Sequence, residues 1–139
     1  TRSAADSLVD AKAALAAGEC VMIFPEGTLT LDPTGWPMVA RTGVARLALS
    51  TGAPVVPLAQ WGASAILPRN AIFLRPFPRK KVQALVGPPV DLSDLQGKLD
   101  PASLVEATNR IMAAITAQLA VLRQETPPAE PFDRRRAGV

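Results

Sequence analysis

One hundred and thirty-nine residues, 48% of them hydrophobic and 19% charged, fit one domain with enough chain to bury a core. Four Phe, two Trp and no Tyr leave too few aromatic platforms for a base-stacking nucleic-acid surface. The net charge of +3 vanishes without Arg134, Arg135 and Arg136, so the basic balance belongs to a solvated tail and is no sign of DNA binding.

Ser3 suits an N-cap and Asp6 the first turn of a helix whose face carries Ala5, Leu8, Ala11 and Leu15; Gly18 stops it. Cys20-Val21-Met22-Ile23-Phe24 follows as an unbroken apolar run, which predicts a buried strand, parallel rather than edge. Cys20 is the single cysteine, so no internal disulfide forms, and its setting predicts a core thiol. Pro25 ends the run and Glu26-Gly27-Thr28 turn the chain. A long connection to Thr42 holds the turn Asp32-Pro33-Thr34-Gly35. A second helix is expected over 43–50, ending near Gly52, and a second apolar strand over 54–60. Helix, strand, loop, helix, strand: that alternation predicts an α/β fold, a mostly parallel sheet flanked by helices.

Residues 71–74 and 81–86 read as two further strands, the second closed by Gly87-Pro88-Pro89. Asp100 caps a long terminal helix with Pro101 in its first position. Leu104, Ile111, Ile115, Leu119 and Leu122 give it a core-facing stripe. Residues 1–125 form one domain on this reading, and the Pro/Arg-rich residues 126–139 a mobile tail. No apolar run is long enough to span a bilayer, because Glu19 and Gln60 interrupt the candidates.

The chemistry concentrates at Phe24-Pro25-Glu26-Gly27-Thr28. A polar loop leaving the C-terminal end of an apolar strand stands where α/β sheets bind ligands. Pro25 fixes the exit, Gly27 allows a sharp bend, Glu26 accepts hydrogen bonds from a substrate hydroxyl and Thr28 adds a small donor. Without histidine and with one cysteine, only an oxygen-ligand metal site remains, and no carboxylate cluster offers one. Trp36, beside Pro37 and Met38, is a core residue or, alternatively, rests at a lipid interface; Trp61 packs in the core.

Residues 24–30, then Arg41 ahead of the Gly43-led helix, then Val55-Val56-Pro57-Leu58, resemble the glycerophospholipid acyltransferases, the 1-acylglycerol-3-phosphate acyltransferases and their relatives. Their third motif is Phe-Pro-Glu-Gly-Thr-Arg-Ser; their fourth is an apolar strand with a proline. The resemblance runs from about Leu8 to Gly62. It implies transfer of an acyl group from acyl-CoA or acyl carrier protein to a hydroxyl of a lysophosphatidic acid-like acceptor, in phospholipid synthesis, peripherally at the cytoplasmic face of the membrane. The acyl donor is a co-substrate and no other cofactor is implied. Carried over, Glu26 is the catalytic-motif residue present here, and Pro25, Glu26, Gly27, Thr28, Arg41 and Pro57 form the acceptor-binding set.

Two departures stand out. Leu29 and Thr30 replace the motif's Arg and Ser, removing a phosphate ligand that Arg41 supplies in part. No histidine exists, so the family's His-x4-Asp general base is missing. The sequence is therefore read as the C-terminal portion of a longer acyltransferase, inactive by itself. The alternatives are an acyltransferase for another acceptor such as a glycolipid, and a non-catalytic lipid-binding module.

Overall fold

A computed structural model describes residues 4–68 and 72–138, with side chains from residue 6 onward. In chain order it contains α1 (Ala4–Ala16), α2 (Gly43–Thr51), β1 (Leu58–Trp61), α3 (Ala63–Ile66), β2 (Gln83–Val86), a 3-10 turn at Ser93–Leu95 and α4 (Pro101–Arg123).

The long helix α4 is the spine. Asp100 starts it, its Oδ1 accepting the Ser103 N–H at 3.0 Å, and Pro101 opens the first turn where a missing N–H costs nothing. Its apolar stripe then packs twice. Leu104, Ala107 and Ile111 meet Ala45, Ala48 and Leu49 of α2, with Leu92 and Leu95 closing the cluster. Farther along, Leu119 meets Ala59 of β1 and Trp36. Each buried Leu or Ile contributes about 1.5–3 kcal/mol, so these two clusters rather than a sheet core hold the molecule together. The C-terminal carbonyls of α2 are satisfied from outside the helix: Leu49 O accepts from Gly97 N at 2.9 Å and from Gln96 Nε2 at 2.8 Å.

β1 and β2 pair antiparallel, from Leu58 opposite Val86 to Trp61 opposite Gln83, and α4 lies against the pair. Just past β1 the chain crosses the Lys81 backbone so closely that a Cβ on Gly62 would fall 2.2 Å from the Lys81 carbonyl oxygen. Only glycine permits that approach.

This architecture corrects the sheet read from the sequence. The helices at 43–51 and 101–123 stand where expected. Among the described residues, however, the only sheet is this two-stranded antiparallel one, and no parallel pairing of strands flanked by helices is present. Residues 20–24 are not a strand, and Phe24 is 75% exposed. A doubly buried parallel strand needs a neighbour on each edge and a layer on each face. The described residues provide neither, so the apolar run lies open to solvent. Cys20 is accordingly an exposed free thiol and not a core residue. Ile72, Phe73 and Leu74 are also exposed and outside any strand, while Ala71 and Ser3 lie outside the described residues.

The Pro/Arg-rich tail runs beside the connection that follows the Glu26 turn. Met38 and Phe132 form a parallel bridge, and Val39 N–H donates to Phe132 O at 2.9 Å.

Candidate functional site

The turn at residues 24–27 is closed by Gly27 N–H donating to Phe24 O at 3.0 Å. Pro25 occupies the second position, where its fixed φ fits, and Gly27 the fourth, with φ +70°. Two further bonds fasten the turn to the following connection. Arg41 N–H donates to Pro25 O at 3.1 Å, and Met38 N–H donates to Glu26 Oε2 at 3.0 Å. The Arg41 side chain lies across the bend: a Cβ on Gly27 would sit 3.9 Å from both its Cδ and its Nε. Pro25, Glu26, Gly27, Thr28 and Arg41 are thus one local assembly.

Glu26 is half-buried. Burial raises its carboxyl above the ordinary carboxylate range, and the Met38 N–H pulls it back only in part. One oxygen is committed to that N–H, which leaves Oε1 to meet a ligand.

Two cavities meet at Arg41. One, of about 840 Å³, is bordered by Phe24, Pro25, Gly27, Thr28, Leu29 and Arg41. The other, of about 740 Å³, is bordered by Glu26, Arg41, Asp133, Arg134 and Arg135. The carboxylate of the turn and its Gly-Thr backbone therefore face different spaces, with Arg41 common to both. Pro57 is not brought to this assembly. It is buried at the start of β1, its carbonyl accepts from Gly87 N at 3.0 Å, and it borders a separate cavity with Pro88 and Val121.

Sequence reasoning missed Arg123. Its guanidinium lies between two indoles, 4.1 Å from the Trp36 ring and 4.5 Å from the Trp61 ring, and its side chain is 7% exposed. Nη1 donates to Thr34 O at 3.0 Å and Nε to Glu125 Oε2 at 3.0 Å. Thr30 Oγ1 donates to Trp36 O at 2.6 Å, and Gly35 N–H to Asp32 O at 3.0 Å. The connection that presents the Met38 N–H to Glu26 is thereby anchored to the end of α4. A pair of tryptophans and one late Arg carry no spacing signal, so the triplet emerges only from the fold.

Among the described residues no helix is long and apolar enough to cross a membrane, and no three His, Cys, Asp or Glu side chains group as metal ligands. No curated protein and no solved structure matches the chain. A family model described as acyltransferase matches residues 1–61. That stretch runs from α1 through the Glu26 turn, Arg41 and α2 to the last residue of β1. The residues of the Glu26 turn and Arg41 therefore lie within a stretch similar to the acyltransferase family, whereas Arg123, Asp133, Arg134 and Arg135 lie outside it.

Proposed function

We propose that this chain forms the acceptor-binding part of a lipid acyltransferase that moves an acyl group from a thioester, acyl-CoA or acyl carrier protein, to a hydroxyl of a lysophosphatidic acid-like acceptor. The observation that carries the reading is the turn at 24–27, fastened so that Glu26, Gly27, Thr28 and Arg41 stand together. Arg41 offers a planar cation to the acceptor phosphate. Glu26 accepts a hydrogen bond from an acceptor hydroxyl and orients it. The hydroxyl oxygen then attacks the thioester carbonyl, its proton passes to a base, and the tetrahedral intermediate collapses to ester and thiol. The 139 residues contain no histidine, so the proposed transfer requires a base other than the family's imidazole. Glu26 is a poor substitute, because one carboxylate is badly matched to an alcohol proton even when raised. The exposed Met22, Phe24 and Leu29 beside Arg41 would rest on the membrane surface from which the lipids come.

The test is steady-state kinetics on the intact enzyme. Arg41→Ala is expected to raise KM for lysophosphatidic acid about tenfold and to leave kcat nearly unchanged, as loss of a ground-state phosphate contact does. An unchanged KM removes Arg41 from the acceptor site. Leu29, exposed where the family carries an arginine, favours a second reading in which the acceptor lacks phosphate. Equal turnover of acceptors with and without phosphate would establish that one instead.

A further inference from the structure

The 740 Å³ cavity beside Glu26 does not end at its polar mouth. It shares Val39, Ala40, Thr108 and Asn109 with a neighbouring cavity of about 560 Å³. The two are adjacent across those four residues and have unlike linings. The far end runs between Met112, Ala113 and Ala117 of α4 and Pro127, Pro128 and Pro131 of the tail, which crosses it as a strap. The near end gathers Arg41, Arg134 and Arg135 against Glu26 and Asp133. Asp133 is occupied locally, accepting from Arg135 N at 2.9 Å and pairing with Arg136 Nε at 3.6 Å. Among the described residues none of the guanidinium groups of Arg41, Arg134 and Arg135 makes an ion pair. With Asp133 paired to Arg136, three cations face the single carboxylate of Glu26, and this net positive charge beside an apolar slot is complementary to an anion that carries a hydrocarbon chain.

We propose that this cleft binds a single-chain anionic lipid, its acyl chain lying between α4 and residues 127–131 and its anionic head against Arg134 and Arg135. Apolar Met, Ala and Pro side chains suit a hydrocarbon, whereas a peptide laid there would leave most of its backbone N–H and C=O groups unpaired. A slot of about 560 Å³ has the size of a small-ligand pocket, which fits one chain rather than two. The strap is held in register by the Met38–Phe132 bridge. The same connection donates the Met38 N–H to Glu26, so a lipid under the strap has its head beside the motif carboxylate. Only the further step, that this lipid is the acyl acceptor, rests on the proposed function; binding does not.

Trp36 borders the apolar end and serves as the reporter. Lysophosphatidic acid with a nitroxide on its acyl chain, added to the purified chain below its micelle concentration, is expected to quench tryptophan emission saturably. Glycerol 3-phosphate should not displace it, and the uncharged monoacylglycerol should bind about tenfold more weakly. Combining Arg134→Gln with Arg135→Gln should weaken the charged lipid by about tenfold or more and leave the uncharged one unaffected. Ala113→Trp, at an exposed helical position on the wall of the slot, should abolish binding of both, with Ala117→Leu as the milder obstruction and circular dichroism as the check on folding. Unchanged affinity in the double arginine variant, or in a folded obstructed variant, overturns the proposal. If the lipid binds here but the intact enzyme does not acylate it, the site stands and the acyl-transfer reading falls. If the double arginine variant loses lipid binding but the intact enzyme acylates with unchanged KM, the site and acyl transfer both stand, and only the identification of this lipid as the acceptor falls.

Discussion

Glu26 is held between two opposed effects. Desolvation raises its carboxyl above the ordinary 4.5, and the single N–H of Met38 lowers it by less. A carboxyl raised in the folded state binds its proton more tightly there than in the unfolded chain. Stability must then fall as pH rises from about 4.5 through the folded value, and level off above it. Glu26→Gln keeps an acceptor for the Met38 N–H and removes the charge. Urea unfolding of the two proteins over a pH series should give curves that coincide in acid, with the wild type becoming the less stable as pH rises. A difference of opposite sign would mean that the carboxylate gains more from local donors than it loses by leaving water. Because the same carboxylate is proposed to orient a hydroxyl, the strain recorded by this titration is the cost of keeping a charged acceptor half out of solvent at the mouth of a cleft.

At the scale of elements, what was legible in the sequence was whatever local chemistry decides. Asp100-Pro101 marks the start of α4, Gly52 the end of α2, and the Pro-x-Gly spacing the turn at 24–27, because caps and turns are settled within a few residues. The run at 20–24 misled because its strand status depends on partners elsewhere in space, and apolar composition alone does not supply them. The place of Pro57 likewise emerges only from the fold: its own segment is apolar and adjoins β1, but nothing local says which cavity it borders. Arg123 was invisible because Thr34, whose carbonyl it holds, is 89 residues away in sequence. Its place in the fold yields a prediction. Arg123→Ala loses two cation–π contacts, the bond to Thr34 O and the packing of a 7%-exposed side chain, and should destabilise by about 2–4 kcal/mol. Arg123→Lys should recover less than half of that, since an ammonium neither stacks between two rings nor forks to a carbonyl. Chemical unfolding followed by tryptophan emission reads both variants, and the native emission of Arg123→Ala should already be red-shifted as Trp36 and Trp61 gain water. A change below about 0.5 kcal/mol would place the anchoring of the 30–38 connection elsewhere.

The molecule as a whole carries its apolar residues unevenly. The two buried clusters lie on the faces of α4, while Met22, Phe24 and Leu29 stand exposed around the cavity that also holds Arg41. Apolar side chains grouped on a surface, with a cation at their border, are matched to a bilayer interface, where the chains enter the headgroup boundary and the guanidinium stays with the phosphates. A second exposed group, Ile72, Phe73, Leu74 and Phe77, lies in another part of the sequence and borders neither Arg41 nor Glu26. The two groups make the prediction discriminating. Flotation with vesicles of mixed phosphatidylcholine and phosphatidylglycerol should carry the wild-type chain. Burying a Phe or Met side chain contributes about 1.5–3 kcal/mol, and an interface captures only part of it, so combining Met22→Ser with Phe24→Ser should lower the partition coefficient by about tenfold. Phe73→Ser with Phe77→Ser, equal in the number of apolar groups removed, should change it far less. Salt should weaken attachment only modestly, because the net charge is +3 and the apolar contacts dominate. If the second pair of substitutions proves the more damaging, the membrane meets the 72–77 segment and the Glu26 turn points away from it. A lipid would then have to reach the carboxylate through the strap-covered cleft alone.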